Sequence, residues 1–379
     1  MAIKKKESND DIVVGKLSGT DIRTLLNKKA GQEIAFSLKD ENPSEVVGWI
    51  PTGSKWLDSI ICKGQYGGIP VGKISEISGL ESAGKSYIAA SIAANAQKAG
   101  MKIVYFDSES SVDSEFIKKL GINLEDDTYT YIQAQTVEFV FETIETLTAT
   151  ADNILYIWDS FANTPCKADT EDLGFDPNSS IARKARIASL GMQKLTLPIA
   201  NSKSILLVLN QLKTNLDRMS LMVEPWTTPG GKALHYAYSL RIWLTGRKAK
   251  DSYIVNSKGY RIGSEIKAKI KKSRFGSEGR ECGFKIAWGE DPIGIRDEES
   301  WLEALDICGA IKTGGPWKTM VAEDGTEFKF QTASWLDKLK EPKFRETVLK
   351  LMDKELIQKF NDRTGDASIH YSIDNEKQK

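Results

Sequence analysis

The eight residues GLESAGKS, 79–86, constrain this chain more than any other stretch. Their spacing is G-x-x-x-x-G-K-S. Glycine at both ends allows backbone turns that a Cβ would obstruct, so successive N–H groups can face one concavity and hold phosphate oxygens. Gly79, Glu81, Ser82, Ala83 and Gly84 make the loop, Lys85 reaches the outer phosphates, Ser86 offers a hydroxyl to Mg²⁺, and Tyr87 follows on the helix. The flanks agree. KISEIS (73–78) is predicted to be a strand, and KSYIAASIAANAQKAG (85–100) a helix closed by glycine. The positive end of that helix adds to the loop's hold on a nucleoside triphosphate such as ATP.

Composition narrows the remaining classes. The chain has 379 residues and balanced charge, with 52 Lys+Arg against 52 Asp+Glu, so nothing global points to nucleic acid. The distribution does: Arg241 to Arg280 holds 12 Lys/Arg against 3 Asp/Glu. Cys62, Cys166, Cys282 and Cys308 lie far apart without C-x-x-C spacing, which argues against a disulfide framework or zinc site and suits a cytoplasmic location. His235 and His370 are the only histidines, which disfavours histidine metal chemistry. No apolar run approaches 18 residues, and MAIKKKESNDD lacks an apolar stretch after its lysines, so neither a membrane span nor a signal peptide is expected.

In chain order, a polar start (1–11) leads to a helix over 21–31, capped by Thr20 or Asp21, and a short strand over 33–38. MKIVYFDSES (101–110) is a buried strand ending in Asp107, Ser108 and Glu109, and it is expected to lie next to the loop's own strand. Helices follow over 112–122 and 136–151. NILYIWDS (153–160) is a second buried strand, ending in Asp159, which is placed to hold the water shell of Mg²⁺. Residues 161–180 and 214–236 read as long loops around a basic helix (181–203) and a third strand, SILLVLNQ (204–211). Residues 238–250 are a strand with a basic tail, and 263–289 an antiparallel hairpin with one wet, cationic face. Past Asp291-Pro292 come helices over 299–311 and 333–360 and a hairpin over 317–330 turning at Asp324-Gly325. The fold class is α/β: a mainly parallel central sheet flanked by helices. The expected domains are an N-terminal arm and linker (1–46), a core (47–291) and a small C-terminal α/β module (292–379).

TGSKWLD, GGIPVGKISEISGLESAGKS, FDSES, WDS, LNQ and GGKALHYAYSLRIW occur in the order and spacing of the RecA strand-exchange recombinases. The chain resembles that family from about Thr52 to Gly289, and its divergence from the bacterial proteins suggests a phage-encoded member, with the phage UvsX protein as a cousin. The resemblance implies a RecA-like P-loop ATPase core that forms helical filaments on single-stranded DNA and pairs it with double-stranded DNA. Lys85 and Ser86 match the phosphate and Mg²⁺ positions, Glu109 the catalytic glutamate, Asp159 the Walker B aspartate, and Gln211 the residue linking γ-phosphate to DNA. Asp113 and Phe116 fall where adenine is contacted. Lys272 and Arg274 fall where two cations reach the neighbour's ATP, and Tyr236 at an interface position. The loops 161–180 and 212–231 match the DNA-binding loops, and the N-terminal arm the segment that packs on the next protomer. Ser110 stands where the bacterial proteins usually carry His, the second loop is about two residues longer, and the likeness fades beyond Pro292.

Several of these roles have a plainer counterpart. Glu109 can be a solvated loop acid, Gln211 a strand-end cap, and Lys272 and Arg274 a wet strand face. Arg183, Lys184 and Arg186 beside the first loop, and Lys213 and Arg218 in the second, suit a DNA backbone but also any basic surface. Met219, Met222 and Trp226 suit stacking on bases or packing of the loop, and Gly230 and Gly231 belong to the family's second-loop motif. The competing functions are a hexameric RecA-fold helicase and a recombinase paralogue that mediates loading. A single-strand-binding protein or loading mediator is an expected partner of the first reading.

Overall fold

A computed structural model describes residues 17–31, 33–39, 42, 44–110, 112–171, 177–215, 225–246, 252–289 and 291–358, without the side chains of 177–180, 232 and 233. The polar start, Arg218, Met219, Met222, the basic tail 247–250 and the C-terminal tail lie outside the described residues. The chain divides into two compact units, Met1–Glu45 and Val46–Lys379.

The first unit is a helix, α1 (Gly19–Ala30), followed by an extended segment. The helix starts earlier than expected. Its cap is Ser18, and Asp21 returns the bond in a capping box, because Asp21 stands three residues after a serine. The strand expected at 33–38 does not form. The Asn27 side chain binds the backbone of Ile34 and Ala35 instead, taking the donors a ladder would have used. Ile22, Leu25, Leu26, Ile34 and Leu38 are all exposed.

The second unit is built on a ten-stranded sheet. Strands β1 (Trp49–Ile50) and β2 (Ile69–Pro70) form a small ladder before it. Six strands run parallel: β3 (Ile74–Gly79), β4 (Lys102–Asp107), β5 (Tyr129–Gln133), β6 (Ile154–Asp159), β7 (Ile205–Gln211) and, after the ribbon β8 (Lys213–Thr214) and β9 (Trp226–Thr227), β10 (Leu240–Gly246). Antiparallel β11 (Tyr253–Val255), β12 (Arg261–Ser273), β13 (Glu281–Ala287) and β14 (Gly294–Arg296) extend the β10 edge. The order is β14-β13-β12-β10-β3-β7-β6-β4-β5, with β11 beside β12.

That order corrects one expectation. β4, which leads to Glu109, is not the neighbour of β3; β7 and β6 lie between them. The crossover helix α3 (Lys85–Lys98) has 14 residues, about 21 Å of helix. The chain therefore passes over two strand positions between β3 and β4, which β7 and β6, later in the sequence, occupy. The face of α3 against the sheet is Ile88, Ala89, Ile92, Ala93 and Ala96, all buried, and the small alanines let the helix sit close.

Further helices are α2 (Lys55–Ile61), α4 (Ser114–Lys119), α5 (Val137–Thr148), α6 (Lys167–Glu171), α7 (Pro177–Asn201) and α8 (Gly231–Ala237). Two predicted loops are therefore more ordered than expected: α6 lies within the first, and the β8–β9 ribbon and α8 lie within the second. β12 alternates as predicted, with Ile266, Ala268 and Ile270 buried while Lys267 and Lys269 pair with Glu281 and Lys271 lies over the Trp243 ring. The C-terminal part places α9 (Asp297–Ile307), a three-stranded antiparallel sheet of β15 (Ile311–Gly314), β16 (Trp317–Val321) and β17 (Glu327–Gln331), and α10 (Trp335–Lys338) and α11 (Pro342–Met352) around its own apolar cluster. The helix expected over 333–360 is broken, because Pro342 can start a helix but not continue one.

Candidate active site

β3 ends at Gly79 and α3 begins at Lys85, so the loop between them lies at the carboxyl edge of the sheet, where ligands of such sheets sit. Ser82 (φ 56°) and Gly84 (φ 80°) take left-handed backbone. A Cβ on Gly84 would lie 2.3 Å from Ile286 Cδ1, and one on Gly79 would lie 3.1 Å from Lys85 Cγ. Helices α1, α2 and α5 are capped by Ser18, Ser54 and Thr136, but α3 starts at Gly84 with no side-chain cap. Its first N–H groups remain free for phosphate oxygens, and the loop therefore fits a nucleotide. Lys85 Nζ donates to the carbonyls of Gly79 (3.4 Å) and Leu80 (3.1 Å), and burial lowers its pKa against the pull of Asp159, Glu109 and Glu81.

Asp159 closes β6 and is almost fully buried. Its Oδ2 accepts from Tyr105 Oη at 2.6 Å and from Ser86 Oγ at 3.3 Å. Burial raises its pKa, with Glu109 and Asp107 adding to the effect and Tyr105 opposing it. A cation beside this carboxylate would relieve that cost. Ser86 and Asp159, in contact with each other, are the residues here that could hold Mg²⁺. Among the described residues no group of three or more His, Cys, Asp or Glu is arranged for a metal.

Glu109 is exposed, just beyond the end of β4. Its backbone N–H donates to Asp107 Oδ1 (2.8 Å), and its Oε1 accepts from Ser160 Oγ (2.8 Å) and Asn163 Nδ2 (2.6 Å). Gln211 ends β7 directly beside Gly79 in register, with its N–H held by Asn210 Oδ1 (2.9 Å). Phe116 packs edge-on against Tyr87, ring centroids 4.8 Å apart, beside a cleft of about 230 Å³ lined by Ser86, Tyr105, Val112, Phe116 and Ile122. Asp113 caps α4 through Glu115 N–H and is exposed.

The DNA-loop candidates divide. Arg183 pairs with Asp169 at 2.9 Å. Lys184 donates to the Ala162 carbonyl at 2.8 Å over the Phe161 ring, and burial lowers its pKa to about 8. Arg186 and Lys213 are exposed. Trp226 pairs with Thr214 in the ribbon that closes the neck of the second loop. Gly230 (φ 105°) packs where a Cβ would meet Leu234 and Phe161, and Gly231 lies against Ala185, so these glycines let the second loop approach the first loop and α7.

Lys272 and Arg274 sit elsewhere. Lys272 Nζ donates to the His235 and Tyr236 carbonyls, and Arg274 to Tyr236 at 2.9 Å, so both cap the carboxyl end of α8 beside the exposed Tyr236 ring. In register Lys272 lies opposite Arg241, which lies opposite Glu76, and Arg274 N–H bonds Ser239, itself bonded to Ile74. Arg274 is therefore level with the start of β3 and Gly79 with its end, about 17 Å away along the strand.

Sequence reasoning missed a buried polar network beneath the loops. Glu76 accepts from Arg241 Nε at 2.6 Å and from Asn210 Nδ2 at 3.0 Å, while Arg241 also donates to Thr228 and Asn210 to the Pro229 carbonyl. The network joins both ends of the second loop. A charged residue inside an apolar strand was its signal.

The RecA N-terminal domain family model matches residues 20–293. The chain belongs to the RecA family. Relatives named Protein RecA include that of Thermus aquaticus, 30% identical over 88% of this chain and 93% of its own length, and that of Ruminococcus albus, 30% identical over 84% and 77%. The Caldanaerobacter subterraneus protein is 35% identical over 71% and 73%. RecA-family membership makes this chain a DNA-dependent ATPase and strand-exchange recombinase; the helicase and mediator readings are not favoured.

Proposed function

We propose that this recombinase hydrolyses ATP in a site whose first half is the 79–86 loop and whose second half belongs to the next protomer of a filament. The carrying observation is positional. Arg274 stands about 17 Å, and Lys272 about 10 Å, along the sheet from the loop of their own chain, and both are held at the far end of α8, so they suit a neighbour's nucleotide better than their own. The exposed apolar residues of α1 and its extended segment support a role as the arm that docks on that neighbour.

Within the site, loop N–H groups and Lys85 hold the phosphates. Ser86 and Asp159 would hold Mg²⁺, which when bound neutralises phosphate charge. Glu109 accepts a proton from the attacking water, and Gln211, beside Gly79, senses the γ-phosphate at the root of the second loop. Tyr87, Asp113 and Phe116 take the base. Arg186 and Lys213, with Lys184 near them, meet the DNA backbone. We place the protein in the cytoplasm, with a single-strand-binding protein or loading mediator as partner, and read 1–46, 47–291 and 292–379 as its domains.

The test is ATP turnover with and without single-stranded DNA, alongside negative-stain imaging with a non-hydrolysed ATP analogue. DNA-stimulated turnover and helical filaments are expected. Closed rings would refute the filament.

A further inference from the structure

Glu109 is a long, exposed side chain, yet both donors that meet it come from one short turn. Ser160 Oγ and Asn163 Nδ2 converge on its Oε1. The turn is itself well braced. Asn163 and Thr164 N–H both return to the Ser160 carbonyl, Trp158 Nε1 donates to Thr164 Oγ1 at 2.8 Å, and Thr164 Oγ1 donates to Ser160 O at 2.9 Å. From the other side, Lys184 on α7 donates to the Ala162 carbonyl. Residues 160–164, at the start of the first loop, therefore grip the glutamate at one edge and are gripped by a cation of α7 at the other.

We propose that Asn163 is a positioning residue for hydrolysis, holding the Glu109 carboxylate and linking it to the first DNA loop. This rests on the reading of Glu109 as the base. With Oε1 occupied by two donors, Oε2 is the oxygen left to take the proton from water as the water oxygen bonds the γ-phosphorus and the bond to ADP breaks. A three-torsion side chain held at one oxygen needs less ordering at the moment of reaction. A DNA phosphate that draws Lys184 away from the Ala162 carbonyl would loosen the residue next to Asn163, and strand binding at the first loop would then be transmitted to the base through two hydrogen bonds.

The experiment measures kcat and KM for ATP with saturating single-stranded DNA and without it. Asn163→Ala, and the near-isosteric Asn163→Asp that cannot donate, should lower DNA-stimulated kcat about tenfold with KM for ATP within about twofold. Asn163→Gln, which restores a donor, should recover part of the loss. Thermal melts identify any variant that fails to fold, and the Asp variant then carries the test. DNA-stimulated kcat near the parent's in both variants would overturn the proposal, as would a loss appearing mainly in KM. Glu109→Gln serves separately: if it still turns over, the base reading itself fails, whatever Asn163 does.

Discussion

The parallel and antiparallel halves of the central sheet were built for different audiences. In β3, β6 and β7 nearly every side chain is buried, so the groups that can meet a ligand are confined to the carboxyl tips, where Gly79, Asp159 and Gln211 end their strands. In β12 the side chains alternate, and its outer face and far end present cations to the surroundings. A strand covered on both faces can offer groups only at its ends, whereas a strand with one wet face can offer them sideways. On the proposed reading, the parallel half supplies the part of the site that belongs to its own chain, and the antiparallel half the part offered to another.

The contrast can be broken most forcefully at the loop. Lys85→Ala should reduce DNA-stimulated turnover by about 10³-fold, measured by phosphate release; a modest loss would mean the tips do not hold the triphosphate. Next, Lys272→Ala with Arg274→Ala should cost about 10²-fold. Mixing that double variant with Lys85→Ala should restore part of the turnover, since each chain supplies the half the other lacks. No recovery on mixing would place both halves in one chain.

A smaller effect is expected of Gln211→Ala, which should leave DNA-free turnover in place and lower the stimulation by DNA about tenfold. Unchanged stimulation would remove Gln211 from the link. The smallest effect concerns stability. Asp58 on α2 lies under the antiparallel half, its carboxyl bonded by Thr52 N–H and Oγ1, and burial pushes its pKa up to about 8. The folded chain thus keeps a proton that the unfolded chain releases, so this group's contribution is greatest in acid and is lost as pH rises toward about 8, by up to about 1.4 kcal/mol per pH unit. Asp58→Asn should raise the melting temperature over the parent by more at pH 8 than at pH 5. A gap independent of pH would show that the buried carboxyl stays ionised.

Much of the parallel half was legible in the sequence because burial on both faces writes itself as unbroken apolar runs ending in polar residues. Glycines with fixed spacing made the loop legible too. β5 was missed because it is an edge strand with mostly exposed side chains. The place of β4 was misjudged because strand order is set by crossovers, which local pattern does not encode. Asn163 and Ser160 were missed as partners of Glu109, since a contact between residues 51 and 54 positions apart leaves no periodicity.

Glu76 divides its two oxygens between Arg241 and Asn210, which stand 165 and 134 positions further on. Removing one member of a buried charged pair typically costs about 3–5 kcal/mol, a large part of a protein's net stability. A lineage can therefore alter these three strands only by passing through an intermediate close to unfolding, or by changing distant positions together. The network acts as a ratchet on sequence drift: the points from which the second loop springs are held to one solution.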